Sequence, residues 1–347
     1  MFVNFPITLI VFCFSLGYWR SGTPKMQQIL EQLITRLKRE KYQLVGKHSA
    51  VKKCSWLHQS LTKGKVCYKQ KFYGIQSHRC LQMTPSVFYC TLRCLFCWRV
   101  QPEDLNINFK VDETAFPTPD DPRFIVEESI LAQRRILSGY KAHVEIERKK
   151  YEEALNPNHA AISLTGEPTL YPLIGDLINE FHRKGMTTFL VTNGTNPKVL
   201  SQLNHEPTQL YISLHAPNKE IFAKTCRPQI PHAWENVKES LELLKSFRCP
   251  TVVRLTLVKD LNMTKIEDYA KLIQKTESTY VETKSYMYVG FSRKRLTYEN
   301  MPTHDEIKVF AEKLSELTGY KIIDEARDSR VVLLSRLDKP IKVGKTS

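Results

Sequence analysis

From Pro85 to Tyr288, short runs rich in β-branched and aromatic residues alternate with longer charged stretches of helical period. The runs are Ser86–Tyr89, Ala160–Thr165, Thr187–Thr192, Thr208–Leu214, Thr251–Val258 and Val281–Tyr288. Between them lie the helical stretches Glu127–Ser138, Leu173–Lys184, Ala233–Phe247 and Thr264–Thr276. Such alternation builds parallel strands joined by crossover helices, which must cover the sheet from outside. Six units predict an α/β fold, a partial TIM-like (β/α)6 barrel, with an open doubly wound sheet as the alternative.

The flanks divide the chain further. Residues 1–25 read as an upstream extension, 26–84 as a basic N-terminal segment, 85–290 as the barrel, and 291–347 as a C-terminal extension. That extension holds a helix near His304–Leu317 and strands at Lys321–Ile323 and Val331–Leu334. Gln101–Arg123, rich in Pro and Asp, reads as a loop. The apolar run Phe5–Trp19 contains Pro6, has no Lys or Arg ahead of it, and is shorter than the roughly 20 residues of a membrane helix. The amphipathic stretch from Met26 reads as the start of the protein proper, and a cytoplasmic location is expected. A short membrane anchor is the alternative.

Cysteine usage carries the chemistry. Nine cysteines occur in 347 residues, and six fall between positions 54 and 97. Clustering in so long a chain argues for a reducing compartment and for metal or redox chemistry rather than disulfides. Cys90, Cys94 and Cys97 form a C-x3-C-x2-C run after the first predicted strand. Three thiolates there can hold one [4Fe–4S] cluster and leave its fourth iron open, since protein clusters ordinarily take four. An open iron can chelate the amine and carboxylate of S-adenosylmethionine and cleave it reductively to a 5′-deoxyadenosyl radical. Chemistry at the carboxyl end of a barrel strand suits the fold, and zinc would want a fourth ligand nearby.

Further patches end the later strands: Gly166 and Glu167 after the second, Thr192 and Asn193 after the third, Ser213 and His215 at the fourth. With Phe96 they resemble the S-adenosylmethionine contacts of the radical-SAM superfamily.

Cys54, Cys67 and Cys80 repeat every thirteen residues within the basic segment. They are read as holding a second [4Fe–4S] cluster with an open iron; zinc shared with His58 or His78 is the alternative. Cys226 and Cys249 read as plain thiols. Charge is concentrated in the same region: Met26–Cys80 carries 12 Lys/Arg against 2 Asp/Glu, supplying +10 of the net +15. Such a balance points to a polyanion, nucleic acid above all.

Longer runs carry a closer likeness. They are Cys67-Tyr68-Lys69-Gln70-Lys71-Phe72-Tyr73-Gly74, His78-Arg79-Cys80, Thr84-Pro85-Ser86, Cys97-Trp98-Arg99, Ser163 through Pro172 (SLTGEPTLYP), and Lys284-Ser285-Tyr286-Met287. From about Gln43 onward the chain resembles the archaeal 4-demethylwyosine synthases, radical-SAM enzymes of tRNA wybutosine biosynthesis. The resemblance implies a tRNA anticodon loop carrying N1-methylguanosine as substrate and pyruvate as co-substrate. The methyl-carbon radical would add to the pyruvate carbonyl, with loss of the carboxylate carbon and closure of a third ring. It also implies that pyruvate is held at the Cys54/Cys67/Cys80 cluster and as a Schiff base on Lys69, with Lys71 the alternative. Eukaryotic members carry a flavodoxin-like domain that this sequence lacks, so a separate low-potential electron donor is implied. The chain is expected to act as a monomer. Arg293, Lys294 and Arg295 are candidate phosphate contacts, and Trp98, Tyr73 and Tyr286 candidate rings for stacking the target base. A radical-SAM enzyme acting on protein, or a non-catalytic Fe–S RNA-binding protein, are the competing readings.

Overall fold

The computed structural model describes residues 24–107, 116–143 and 145–343, with side chains from residue 31 onward. The Phe5–Trp19 run and Cys13 lie outside the described residues.

Ten strands form one sheet. Its centre is six strands in chain order: β3 (Cys80–Thr84), β4 (His159–Ile162), β5 (Thr187–Thr192), β6 (Gln209–Ser213), β7 (Thr251–Leu257) and β8 (Tyr280–Ser285). Each is parallel to the next. This is the partial TIM-like barrel that the alternation predicts. An antiparallel hairpin, β1 (Gln43–Val45) and β2 (Ser49–Val51), extends the β3 side. On the other side β10 (Val331–Ser335) pairs antiparallel with β8, and β9 (Lys321–Ala326) with β10.

The chain's eleven described α-helices are α1 (Pro24–Arg39), α2 (Ser55–Lys63), α3 (Tyr68–Tyr73), α4 (Pro122–Leu137), α5 (Arg148–Ala154), α6 (Ile174–Arg183), α7 (Pro197–Ser201), α8 (Lys219–Cys226), α9 (Ala233–Leu243), α10 (Ile266–Gln274) and α11 (His304–Thr318). Among the described residues no helix is long and apolar enough to cross a membrane.

Strand alternation sorts side chains between two cores. Ala160, Ile162, Leu190, Leu210, Ile212, Val253, Leu255 and Val281 pack outward against the helices. Phe189, Tyr211, Val252 and Tyr280 point the other way and meet Phe72 and Tyr73 of α3. Cys80, His159, Arg254, Glu282 and Lys284 share that inner parity, so the barrel interior is the polar, functional face.

The first strand departs from expectation. It is Cys80–Thr84, whereas residues 86–89 lie in a loop held by Val87 N to the His48 carbonyl (2.8 Å) and Glu167 N to the Tyr89 carbonyl (2.8 Å). The run CLQMT is short and polar, with only Leu81 and Met83 as large apolar residues, both fully buried on its outer face, while β2 and β4 pair its two edges. Cys80 therefore sits on a barrel strand. The basic N-terminal segment contributes α1, β1, β2, α2, α3 and β3 itself.

Candidate active site: two thiol trios on one barrel

Cys90, Cys94 and Cys97 lie on the loop after β3, laid against the end of α8. Arg93 N bonds the Cys226 carbonyl at 3.0 Å, and Leu95 N bonds the Thr225 carbonyl at 2.9 Å. Side chains grip the loop's carbonyls from the other side: Gln101 Nε2 to Cys94 O (2.8 Å), Arg99 Nη2 to Leu92 O (3.1 Å) and Arg295 Nε to Leu95 O (3.1 Å). Arg295 also reaches the Cys97 carbonyl and pairs with Asp104, so it braces this loop and is not a phosphate contact. Burial opposes the charge on Arg99, yet the thiols of Cys90, Cys97 and Cys94 outweigh it and hold its pKa above the usual value. Burial pushes the Cys90 thiol up to about 11. Cys94 is raised first by the thiol of Cys226, which therefore touches the trio instead of being a plain core thiol.

The strand-end residues converge on this loop. Gly166 (φ +72°) passes so close to residues 86–89 that a Cβ would stand 1.8 Å from the Ser86 carbonyl oxygen. Glu167 is buried, and its carboxylate accepts from Thr169 N, Thr169 Oγ1, Thr192 Oγ1 and Asn193 N at 2.6–3.1 Å. Asn193 Nδ2 donates to Thr91 Oγ1 at 2.9 Å and approaches Cys90 Sγ at 3.9 Å. Phe96 meets His215 edge-on, with ring centroids 4.8 Å apart. His215 Nδ1 is buried without a partner among the described residues, and burial lowers its pKa to about 3. Ser213 is buried and pairs in register with Arg254. An open cleft between α1 and the loop reaches Cys90, Arg99 and Thr165.

The second trio assembles from three elements. Cys54 and Cys67 are the N-cap residues of α2 and α3, and Cys80 begins β3. Each thiol feels the others: Cys54 raises Cys67, and both raise Cys80, on top of the larger effect of burial. The backbone N–H groups of Trp56, Leu57 and Lys69, at the two helix starts, oppose this by favouring the charged thiols. Such donors and the adjacent lysines favour thiolates once a metal binds.

The two candidate lysines part company. Lys69 points inward, with Nζ 4.6 Å from the Phe189 ring centroid and 4.8 Å from that of Tyr211. Burial, reinforced by Arg254, lowers its pKa to about 8. Lys71 points outward to β9, where its ammonium pairs with Asp324 at 2.8 Å and bonds the Glu325 carbonyl. Two steps along a helix turn a side chain about 200°. Lys71, the alternative amine, is thus turned away from the thiol trio that Lys69 faces.

Between the trios lies a network that sequence reasoning missed. Glu282, fully buried, accepts from Arg254 Nε (2.9 Å), Tyr73 OH (2.7 Å), Tyr68 OH (3.3 Å) and Tyr211 OH (3.3 Å). Arg254 lies over Tyr211, 4.3 Å from its centroid, and acts electrostatically on both Lys69 and His215. Lys69 and Arg254 both contact the Tyr211 ring and His215 contacts Phe96, while charge links Cys67 and Cys80 to Lys69 and Arg254 to His215. His159, opposite Cys80 in register, leaves Nε2 buried without a partner among the described residues. Of the expected stacking rings, Tyr73 and Tyr286 are buried in the wall; Trp98 stacks on Tyr42 at 6.4 Å.

Both trios fit iron–sulfur clusters. Every described cysteine is a free thiol. Among the described residues no three His, Cys, Asp or Glu groups converge on a single ion. Tetrahedral zinc requires four such ligands at about 2.0–2.3 Å, whereas a cluster takes each thiolate on a separate iron. His58 Nδ1 bonds Tyr140 (2.6 Å) and His78 Nε2 bonds Glu153 (2.8 Å), and neither ring joins the thiols in a group of three or more ligands among the described residues.

Comparison with known proteins agrees. Residues 85–273 match the model of the radical SAM superfamily, and residues 275–336 match that of wyosine base formation. Fold and cysteine loop together define a radical-SAM enzyme, whose class uses S-adenosylmethionine and a [4Fe–4S] cluster. A tRNA 4-demethylwyosine synthase of Pyrococcus horikoshii is 53% identical, over 91% of each chain. That of Methanocaldococcus jannaschii is 41% identical, over 90% of this chain and 98% of its own. A solved structure described as TYW1 with a lysine-pyruvate adduct bound superposes with a TM-score of 0.80 at 39% identity, covering 91% of this chain and 99% of that one. The chain belongs to the S-adenosyl-L-methionine-dependent tRNA 4-demethylwyosine synthases.

Proposed function

We propose that this chain condenses N1-methylguanosine, 3′ of the anticodon in tRNA, with two carbons of pyruvate to make 4-demethylwyosine. The observation that carries the reading is Lys69, whose amine lies beside the Cys54/Cys67/Cys80 trio and faces the barrel interior. Cys90, Cys94 and Cys97 would hold the radical-SAM cluster, and Cys54, Cys67 and Cys80 a second one. When bound, the first cluster with S-adenosylmethionine supplies the 5′-deoxyadenosyl radical.

The residues present do the rest. A lysine with its pKa near 8 offers free amine at neutral pH, so Lys69 attacks the pyruvate ketone and expels one water to give an imine. Gly166, Glu167, Thr192, Asn193, Ser213, His215 and Phe96 line the S-adenosylmethionine side, with Glu167 fixing loops rather than offering its carboxylate. Exposed lysines and arginines of residues 26–80, Lys69 and Lys71 apart, meet tRNA phosphates, making binding weaken with salt. Electrons come from a separate low-potential donor, the chain works as a monomer, and its place is the cytoplasm, with its tRNA substrate. Incubating reduced protein, S-adenosylmethionine, pyruvate and methylated tRNA, then resolving nucleosides by mass spectrometry, tests this. A tricyclic base dependent on pyruvate is expected; deoxyadenosine with unaltered tRNA contradicts it.

A further inference from the structure

The barrel interior gathers three cationic side chains. Lys69, Arg254 and Lys284 face the carboxylate of Glu282, whose oxygens already receive Arg254 and three tyrosine hydroxyls, while the thiols of Cys67 and Cys80 act on Lys69 and that of Cys67 on Lys284. A buried cation with an uncommitted donor is a place for an anion. Lys284 is committed, donating from Nζ to the Ser329 carbonyl at 2.6 Å. Arg254 is held but not used up: Nε and Nη2 engage Glu282 and Tyr68, while Nη1 has no acceptor among the described residues. Glu282 and Tyr68 thus orient the guanidinium as a fixed fork.

Arg254 and Lys69 also share one ring. Each stands within 5 Å of the Tyr211 centroid, at 4.3 and 4.8 Å, so they cannot lie further apart than those distances placed end to end. A 2-keto acid joined to Lys69 through its ketone carbon carries its carboxylate on the very next carbon. The guanidinium is the partner whose geometry suits that group.

We propose that Arg254 receives the carboxylate of the keto acid condensed on Lys69, and so selects a 2-keto acid over a neutral ketone. The inference rests on the reading of Lys69 as the pyruvate amine. It makes Arg254 a specificity-determining residue and Glu282, with Tyr68, a positioning partner.

The test traps the imine on anaerobically loaded protein with borohydride, using labelled pyruvate and, separately, labelled acetone, and reads label in the Lys69 peptide. Arg254→Gln and Arg254→Lys should each raise the pyruvate concentration for half-saturation by roughly tenfold or more. Labelling by acetone should not fall with it. If the lone substitution fails to fold, Arg254→Gln with Glu282→Gln removes the unpaired buried carboxylate and should show the same shift. An unmoved half-saturation would overturn the inference. So would loss of S-adenosylmethionine affinity with pyruvate labelling intact, or the shift appearing in Lys284→Gln and not at Arg254. Wild-type protein that never labels Lys69 would overturn the proposed function first, and this inference with it.

Discussion

The backbone nitrogen of Asn193 donates a 2.7 Å hydrogen bond to Oε2 of Glu167, tying the loop after β5 to the loop after β4. The other carboxylate oxygen collects Thr192 Oγ1 at 2.6 Å and Thr169 Oγ1 at 2.7 Å. Removing this hub strands several buried donors at once. Glu167→Ala should lower stability by roughly 1–3 kcal/mol and weaken S-adenosylmethionine binding. Denaturant titration and equilibrium dialysis read the two effects; unchanged dialysis would mean the loops do not shape that site.

Arg295 gives the cysteine loop its brace, reaching the carbonyls of Leu95 and Cys97 from a position only 9% exposed. Partners that orient metal ligands are worth about 10–100-fold in affinity or activity. Arg295→Met should therefore lose iron from one cluster while the Cys54/Cys67/Cys80 site stays filled. Iron and sulfide assays on anaerobically purified protein should fall from about eight irons to about four, given four per cluster.

The lysines of α3 differ in consequence as they differ in direction. Lys69→Ala should abolish product and borohydride-trapped pyruvate. Lys71→Ala loses an exposed pair with Asp324, a contribution of at most about 1 kcal/mol, and should trap pyruvate normally. A trapped adduct that survives Lys69→Ala would move the amine elsewhere.

His159 predicts a dependence on acid. It is 1% exposed, and burial, with Lys69 adding, holds its pKa well below 6.5. Unfolded chain takes up a proton below that value while folded chain does not, so stability is full above pH 6.5 and falls as pH drops. The slope from this residue approaches about 1.4 kcal/mol per pH unit. His159→Gln should remove that part of the slope between pH 6.5 and 5, measured by chemical denaturation; parallel curves would contradict it.

Much of this site was legible because its ligands are local. C-x3-C-x2-C places three thiols on one loop, and Cys67-Tyr68-Lys69 puts an amine two residues from a thiol. Strands with β-branched runs, such as Thr187–Thr192, were legible for the same reason. Cys80–Thr84 was not, because its five residues include only two large apolar side chains, Leu81 and Met83, and no β-branched aliphatic residue. Arg254 and Glu282 were invisible for another reason. They meet only because β7 and β8 pair in register and both side chains take the inward parity. Arg295 likewise reaches Leu95 across 200 residues of sequence. Cys226 looked idle until α8 brought it to Cys94.

Labour is divided between the two thiol trios: one serves radical generation and the other, with Lys69, serves the keto acid. Cys67→Ala separates them, read by deoxyadenosine and tricyclic base from the same reaction. Continued deoxyadenosine formation with no tricyclic base is expected. Product at the wild-type level, or deoxyadenosine lost together with product, would contradict it.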